Sequence, residues 1–600
     1  MKLKKVISLL AVAAMTISLA ACGSDGSSSS DSSSAPAEEA SEAEEDTSGE
    51  ADGQETDVQE ADASDAEEAG ESSTGEESTG TSKALEPFAE TVTIKMGHGL
   101  NPSVTLEDGE TVENSRFVQW LKEDMNIDVQ YDWVCSTTDF EQKMNLCIAS
   151  NTLPDAMNVG QTQYLAMLKY NQLEPITAAF EEYASDQLKQ YVHSGGDALM
   201  DAISSDGEMY AIPAPNITAG GVNEMWIRQD WLEELNLEVP KTIDEVFEVA
   251  QAFVDAKIGG DNTIGIVGPA SGDQLIARGQ NRWGLDPVFG AYNSYPEYWT
   301  LNDSGEVIYG SVQPETKEAL AKIAEWYAAG VIDPEVFVRS DSLEPVMAGR
   351  VGIFFGPWWC GYTIGDMALA GTADWQAYLS PLAGDGKFYS PMADPTTQYV
   401  CVRKGYEHPE AAIQIINYLI ANEQSWIDNK KVEGGITSDI YPLFNVYDNA
   451  DEIEYSYEWL KKFNLGEVAK EDVDVTNRKL LRGDLDAIEV LKLEPKDDFS
   501  LEYWDYKHEL AASNLPRLIS IMIGERSLME DGYEPIYNIY SGQTETMAAK
   551  WANLEKLEEE TFAKIILGQA PIDEFDTFVE KWYAEGGQTI IDEIAAAVNE

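Results

Sequence analysis

Trp358 and Trp359 stand side by side in Gly356-Pro357-Trp358-Trp359, after an apolar run from Val351 to Phe355. Further aromatics gather where the sequence has no regular period: Trp283 in Asn281-Arg282-Trp283-Gly284, then Tyr292, Tyr295, Tyr298 and Trp299. An aromatic face is an apolar platform with polar edges. It suits stacking on the C–H faces of sugar rings while nearby amides and carboxylates bind the hydroxyls. A lone tryptophan is more often core than platform. The adjacent pair is harder to bury: neighbouring strand residues point to opposite faces, so both are core only between two packed layers.

Other chemistry lacks its residues. His508 opens His508-Glu509-Leu510-Ala511-Ala512, without the second histidine of a zinc-protease helix. Gly268-Pro269-Ala270-Ser271-Gly272 places its serine one position too late for a nucleophile elbow. No glycine-rich phosphate loop or dinucleotide fingerprint occurs, so no cofactor is expected. Paired carboxylates could serve a glycosidase, but among 108 Asp and Glu some pair always looks suitable. Cys135, Cys147, Cys360 and Cys401 have no metal-ligand spacing, and no metal is expected. Their even number permits disulfides in an exported protein, yet residue types do not pair them; buried free thiols are the simpler reading.

The 39 Lys and Arg against 108 acids give a net charge of −69. Nucleic-acid binding, which needs clustered basic residues, is disfavoured, as is adhesion to an anionic membrane surface. A neutral ligand fits best. At 600 residues the chain exceeds what one core supports, so two or more lobes are expected.

The elements that must position these residues read as α/β. Thr91 to Met96 alternates as a strand; Phe117, Leu121 and Met125 have helical spacing; Ile127 to Val134 is a second strand. A helix through Phe140, Met144 and Ile148 follows. Ile243 to Ala256 is amphipathic, with Thr242 and Glu245 at capping-box spacing. Strands are expected at Thr263 to Val267, Val351 to Phe355 and Tyr399 to Val402, and helices through Leu320 to Tyr327 and Pro409 to Ala421. From Leu510 the chain is mainly helical. Alternation of strand and helix predicts α/β layers with a largely parallel sheet.

Between these parts, Tyr210 to Thr242 runs from a short apolar segment through Pro213 and Pro215 and past Gly220-Gly221. Ile227, Trp231, Leu232 and Leu235 then share one helical face. By local pattern Ala211 to Asn216 is either a crossing between lobes or an ordinary βα loop, and Trp226 to Leu235 reads as a helix.

At the N-terminus, Lys2, Lys4 and Lys5 precede an apolar core, Val6 to Ala14, in the pattern of an export signal. Leu19-Ala20-Ala21-Cys22-Gly23 resembles the lipobox of bacterial lipoproteins, which implies diacylglycerol on Cys22. Residues 23–82 hold 20 acids, no Lys or Arg and no aromatic residue, and are expected to be a disordered tether. Its root-mean-square span is ~45 Å before self-repulsion extends it.

A set of segments in this order resembles the family 1 extracellular solute-binding lipoproteins of carbohydrate ABC transporters, most of all the large members of Gram-positive bacteria. The segments are Gly109 to Asn114, Ile127 to Trp133, Leu153-Pro154-Asp155, Met209 to Pro213, Ile227 to Leu232 with Val239 to Thr242, Gly352 to Trp359, Tyr399 to Gly405 with His408-Pro409-Glu410, Tyr540 to Met547, Ile565 to Gly568, and Gly586-Gly587. The resemblance implies a two-lobed α/β fold of the periplasmic-binding-protein type II, similar to maltose-binding protein, that closes on ligand held between the lobes.

Under that resemblance residues 1–21 are a lipoprotein signal and 22–86 the acidic linker. The first lobe takes 87–213 and 397–445, and the second takes 217–390 and most of 446–600. Ala211 to Asn216 becomes the crossing between lobes, and Trp226 to Leu235 the opening helix of the second. Trp358 and Trp359 match a Gly-Pro-Trp segment lining sugar clefts; Tyr210 and Asn216 would lie at the cleft floor, Trp283 and Trp299 at its rim, and Tyr399 among the ligand-binding residues. The implied partners are an oligosaccharide, an ABC permease and, through the diacylglycerol on Cys22, the outer face of the plasma membrane; the protein would be a monomer and not an enzyme. A secreted carbohydrate-active enzyme and a binding protein for a non-sugar solute such as a peptide are the alternatives. One departure matters. Where many relatives carry an acidic calcium-type loop, this chain reads Asp255 to Thr263 with only two acids, so the calcium site is not carried over.

Overall fold

The computed structural model describes residues 83–104, 106, 109–277, 281–428, 440–444, 447–478, 480–491 and 508–599. The expected signal segment, Cys22 and the expected tether to residue 82 lie outside the described residues. Lys83 to Glu86, expected as the end of the tether, are already held. The carbonyls of Lys83 and Glu86 accept from the Gln414 amide, and that of Ala84 accepts from Asn417.

Two sheets organise the chain. The first has the strand order Ile127–Ser136, Val92–Leu100, Ala156–Val159, Tyr399–Val402, Ala211–Pro213. Its first three strands run parallel, whereas Tyr399–Val402 is antiparallel to both neighbours. The second has the order Trp375–Tyr378, Glu224–Arg228, Val351–Gly356, Ile264–Ile266, and only its last pair is parallel. The expectation of a largely parallel sheet is thus corrected to two mixed sheets. In the first sheet the two antiparallel pairings both belong to Tyr399–Val402, the strand by which the chain returns from the second sheet.

Each sheet carries its own core. Ile94, Leu121, Ile127, Met144, Met157, Ile212, Val400 and Ile416 belong to one cluster drawn from 92–212 and 399–447. The second sheet is covered on both faces. Trp226, Phe354 and Trp375 of the sheet pack in one cluster with Leu485, Leu515 and Leu518. Met225, Ile227, Ile353 and Phe355 face Phe253, Trp326, Phe562 and Trp582. The alternation along Glu224–Arg228 and Val351–Gly356 is the period of two that a pleated strand imposes.

Glu224–Arg228 corrects the reading of Trp226 to Leu235 as one helix: the helix is Gln229–Leu235 only. All five strand residues are buried. A short apolar run buried on both sides carries no period that separates strand from helix. Elsewhere local signals are met closely. The helix Ile243–Ala256 begins with the Thr242 hydroxyl accepting from the Glu245 amide, while the Glu245 carboxylate accepts from Thr242 N–H at 3.0 Å. None of the four cysteines is disulfide-bonded; Cys147, Cys360 and Cys401 are buried, and Cys135 is only half-buried. Among the described residues no helix is long and apolar enough to cross a membrane.

Candidate functional site

The chain passes between the two sheets three times among the described residues, and the first crossing is bonded to each of the other two. Asn216 N–H donates to the Pro395 carbonyl at 2.9 Å and its side-chain amide to the Asp394 carbonyl at 2.8 Å, joining the first crossing to the second. Thr218 N–H donates to the Ala450 carbonyl at 2.9 Å, joining the first to the third. Ser541, from the C-terminal part, donates to Asp394 Oδ1 at 3.0 Å. Asn216, Ile217, Gly221, Met392, Asp394 and Tyr537 line a cavity of about 40 Å³ at this junction.

Val159, Pro213 and Tyr399 end their strands at the same edge of the first sheet, next to the crossings. Tyr399 is fully buried and stacks on Tyr164 at 4.4 Å with 12° between the rings. It therefore supports this edge from below and presents no ring to it. Burial and the nearby Asp394 charge, together with Cys401, hold the Tyr399 phenol far above its ordinary range. Tyr210 is half-buried and packs against the same core.

On the other side, Val351–Gly356 delivers the tryptophan pair into a 3₁₀ turn, Trp358–Cys360, and not onward in a strand. The alternation argument for the pair therefore does not apply. Trp358 is 6% exposed and packs into the core, where Gly524 lies so close that a Cβ there would stand 2.5 Å from the Trp358 carbonyl oxygen. Trp359 stays partly exposed, with the Arg282 guanidinium 5.7 Å from its ring. Arg282 also lies 5.3 Å from the Trp283 ring and donates through Nη1 to Thr363 Oγ1 at 2.7 Å.

Two of the aromatics expected at the rim are core residues. Trp283 is 4% exposed; its φ of 75° is unusual for a bulky residue, and its N–H donates to the Phe355 carbonyl at 2.8 Å. Trp299 is 2% exposed and sits among Tyr309, Trp551 and Trp582, with ring centroids 4.6, 5.8 and 6.4 Å away. The stretch around it is less irregular than its sequence: Trp299–Leu301 pairs antiparallel with Val307–Tyr309, which buries the indole. Of the seven aromatic and amide positions singled out, Asn216, Trp359 and Tyr210 keep partial exposure.

Acidic groups that the sequence reading passed over lie beside the crossings. Glu224 opens the central strand and is fully buried; its Oε2 accepts from Ser527 Oγ at 2.5 Å. Glu454 Oε1 accepts from Ala219 N–H at 3.1 Å, and Glu525 is 1% exposed. Burial pushes the carboxyls of Glu224 and Glu525 well above the usual range, and that of Glu454 up to about 7. A single acid inside or just after an apolar run marks two of them: Asn223-Glu224-Met225-Trp226 and Ile523-Gly524-Glu525. Among the described residues no group of three His, Cys, Asp or Glu is placed to hold a metal. In the Asp255 to Thr263 stretch, Asp261 pairs with Lys257 at 3.0 Å and Asp255 accepts from Gln251.

Comparison with known proteins agrees with this architecture. A family model described as bacterial extracellular solute-binding protein matches residues 107–426. A fructooligosaccharide ABC transporter substrate-binding protein, FusA of Streptococcus pneumoniae, is 26% identical over 42% of this chain; the match spans 47% of that relative, about half its length. A polygalacturonan/rhamnogalacturonan-binding protein, YtcQ of Bacillus subtilis, is 23% identical over 80% of this chain and 88% of the relative. The structure of an HMO-binding, ABC-transporter-associated solute-binding protein from Bifidobacterium longum infantis superposes with a TM-score of 0.51 at 14% identity, over 85% of this chain and 99% of that one.

Proposed function

The chain belongs to the family of bacterial extracellular solute-binding proteins, and on that premise we propose that it captures an oligosaccharide between its two lobes and delivers it to an ABC permease. The observation that carries the proposal is the joint itself. Asn216 of the first crossing is bonded to Asp394 of the second, and Asp394 also accepts from Ser541. A small rotation about such a joint changes the gap between the lobes. Ligand contacts to both sides then favour the closed arrangement by their differential affinity.

Trp359 is the ring proposed to stack on a sugar face, with Arg282 beside it and the Asn216 amide at the floor. Trp358, Trp283, Trp299 and Tyr399 act as the packing that fixes those groups. The relatives' names support a glycan: one binds fructooligosaccharide and the other polygalacturonan or rhamnogalacturonan. The net charge of −69 favours a neutral glycan over an acidic one. The protein acts without catalysis, as a monomer, held to the outer face of the plasma membrane of a Gram-positive bacterium by diacylglycerol on Cys22. Labelling with a radioactive fatty acid tests the anchor: wild type should incorporate label and Cys22→Ala should not.

Titration calorimetry with oligosaccharide panels tests the ligand class. Saturable binding of a neutral oligosaccharide, with no reducing sugar released on long incubation, is expected; release of reducing sugar would favour the enzyme alternative.

A further inference from the structure

Three carboxyl groups from separate parts of the chain lie where the crossings enter the second lobe. Glu224 begins the central strand directly after the first crossing and pairs opposite Gly356. Glu454 stands in the helix Glu452–Leu465, which follows the third crossing, and holds the Ala219 amide of the first. Glu525 begins the helix Glu525–Glu530, whose Ser527 donates to Glu224. Glu525 interacts electrostatically with both Glu454 and Glu224. Glu224 Oε1, Glu454 Oε2 and both oxygens of Glu525 are buried and have no hydrogen-bond partner.

Ionised carboxylates cannot occupy such a place together. A buried anion without a donor is costly, and like charges in one low-dielectric site raise that cost. The surrounding cations do not remove it. Arg478 donates to Asp451 and Glu452 at 2.8 and 3.0 Å, and Arg526 donates to Gln376 at 3.1 Å. Asp451 adds negative charge beside Glu454, while Arg478 opposes it. Arg526 acts on Glu224 from one side; Cys360, with Arg282 beyond it, lies on another. Tyr533 faces both Glu454 and Glu525. Protons on the carboxyls neutralise the site, and because Glu525 interacts with both of the others its titration is linked to theirs.

We propose that Glu224, Glu454 and Glu525 form a proton-bearing joint, in which bound protons keep the first and third crossings seated on the second lobe. Loss of those protons leaves mutually repelling anions that draw in water. The Ala219 N–H bond by itself favours ionised Glu454, but the repulsion and the entering water outweigh that gain and the seat of Ala219 loosens. The joint concerns the hinge of the proposed capture mechanism, but its test needs no ligand, so the two readings fail separately.

Hydrogen–deuterium exchange of the whole chain, read at the Ala219 amide and corrected for intrinsic base catalysis, tests it between pH 6 and pH 8.5. The protection factor should fall on the order of tenfold. In Glu525→Gln the fall should shrink to roughly twofold, while Glu530→Gln, which removes a surface pair with Lys461, should keep the wild-type fall. A wild-type protection factor equal at the two pH values overturns the proposal. So does a Glu525→Gln protein with the wild-type slope; if that variant does not fold, Glu454→Gln is read by the same criterion.

Discussion

Ser541 Oγ donates to Asp394 Oδ1 at 3.0 Å, and the carbonyl of the same Asp394 accepts from the Asn216 side chain at 2.8 Å. One residue of the second crossing thus ties the first crossing to the loop ahead of the long helix Glu545–Ile566. Gly542, next to Ser541, reaches the first lobe: a Cβ there would lie 3.3 Å from Leu165. Ser541→Ala removes this hydrogen bond, of about 1 kcal/mol, and the one that Ser541 Oγ accepts from the Asn538 amide at 3.3 Å. It should weaken glycan affinity about fivefold by calorimetry, with a melting temperature within a few degrees of wild type.

The tryptophan pair should separate on mutation. Trp359→Ala is expected to lower glycan affinity by about 1–3 kcal/mol, the range of stacking on an aromatic ring, with little loss of stability. Trp358→Ala empties a buried site and should cost about 3–5 kcal/mol in chemical denaturation. Equal effects of the two changes on affinity would place both rings in contact with ligand.

Trp299 belongs to the packing. Trp299→Ala should destabilise by about 3–5 kcal/mol through the space left among Tyr309, Trp551 and Trp582. At temperatures where the variant is folded, its glycan affinity should stay within about threefold of wild type, which corresponds to under 1 kcal/mol.

Stability should fall as pH rises. Glu224, Glu454, Glu525 and Glu452 keep protons in the folded state above the pH at which the unfolded chain loses them; burial raises Glu452 and Glu454 to about 7 and lifts Glu224 and Glu525 well above the ordinary range. Between the ordinary glutamate value near 4.5 and about 7 the folded state therefore binds more protons than the unfolded one, and unfolding becomes easier with each step upward. Scanning calorimetry should show the melting temperature dropping from pH 5 to pH 8. Glu525→Gln should raise it at pH 8 and flatten the slope.

Thiol chemistry gives an independent check on burial. Burial pushes the thiols of Cys360 and Cys401 far above their usual range, while Cys135 is half-buried. Of the four cysteines beyond residue 83, native protein should expose only Cys135 to a chromogenic disulfide reagent at pH 8; Cys147, Cys360 and Cys401 should react on unfolding.

Local signals located the elements better than they located the site. Thr242 with Glu245 announced the helix Ile243–Ala256, and Tyr399–Val402 was legible as an apolar run. Glu224–Arg228 was not, because Ile227 falls at helical spacing from Trp231, Leu232 and Leu235, so the strand and the helix Gln229–Leu235 that follows it read as one element. The aromatics misled in the same way. Trp283 and Trp299 sit in glycine- and proline-rich sequence, but tertiary pairing with Phe355 and with Val307–Tyr309 buries them. Arg282 and Asp394 carry no local signal, since their roles come from partners 81 and 147 positions away. Glu224 was detectable as one acid inside an apolar run, the pattern that marks a buried charge awaiting a partner or a proton.

The most direct test of glycan capture is a thermal-shift screen of the whole chain against neutral oligosaccharides, uronic-acid oligosaccharides and peptides. Ligand that binds only the folded state raises the melting temperature by mass action. A rise with a neutral oligosaccharide, reduced in Trp359→Ala, is the predicted result. A rise with peptides alone, or none with any glycan at millimolar concentration, would contradict the account.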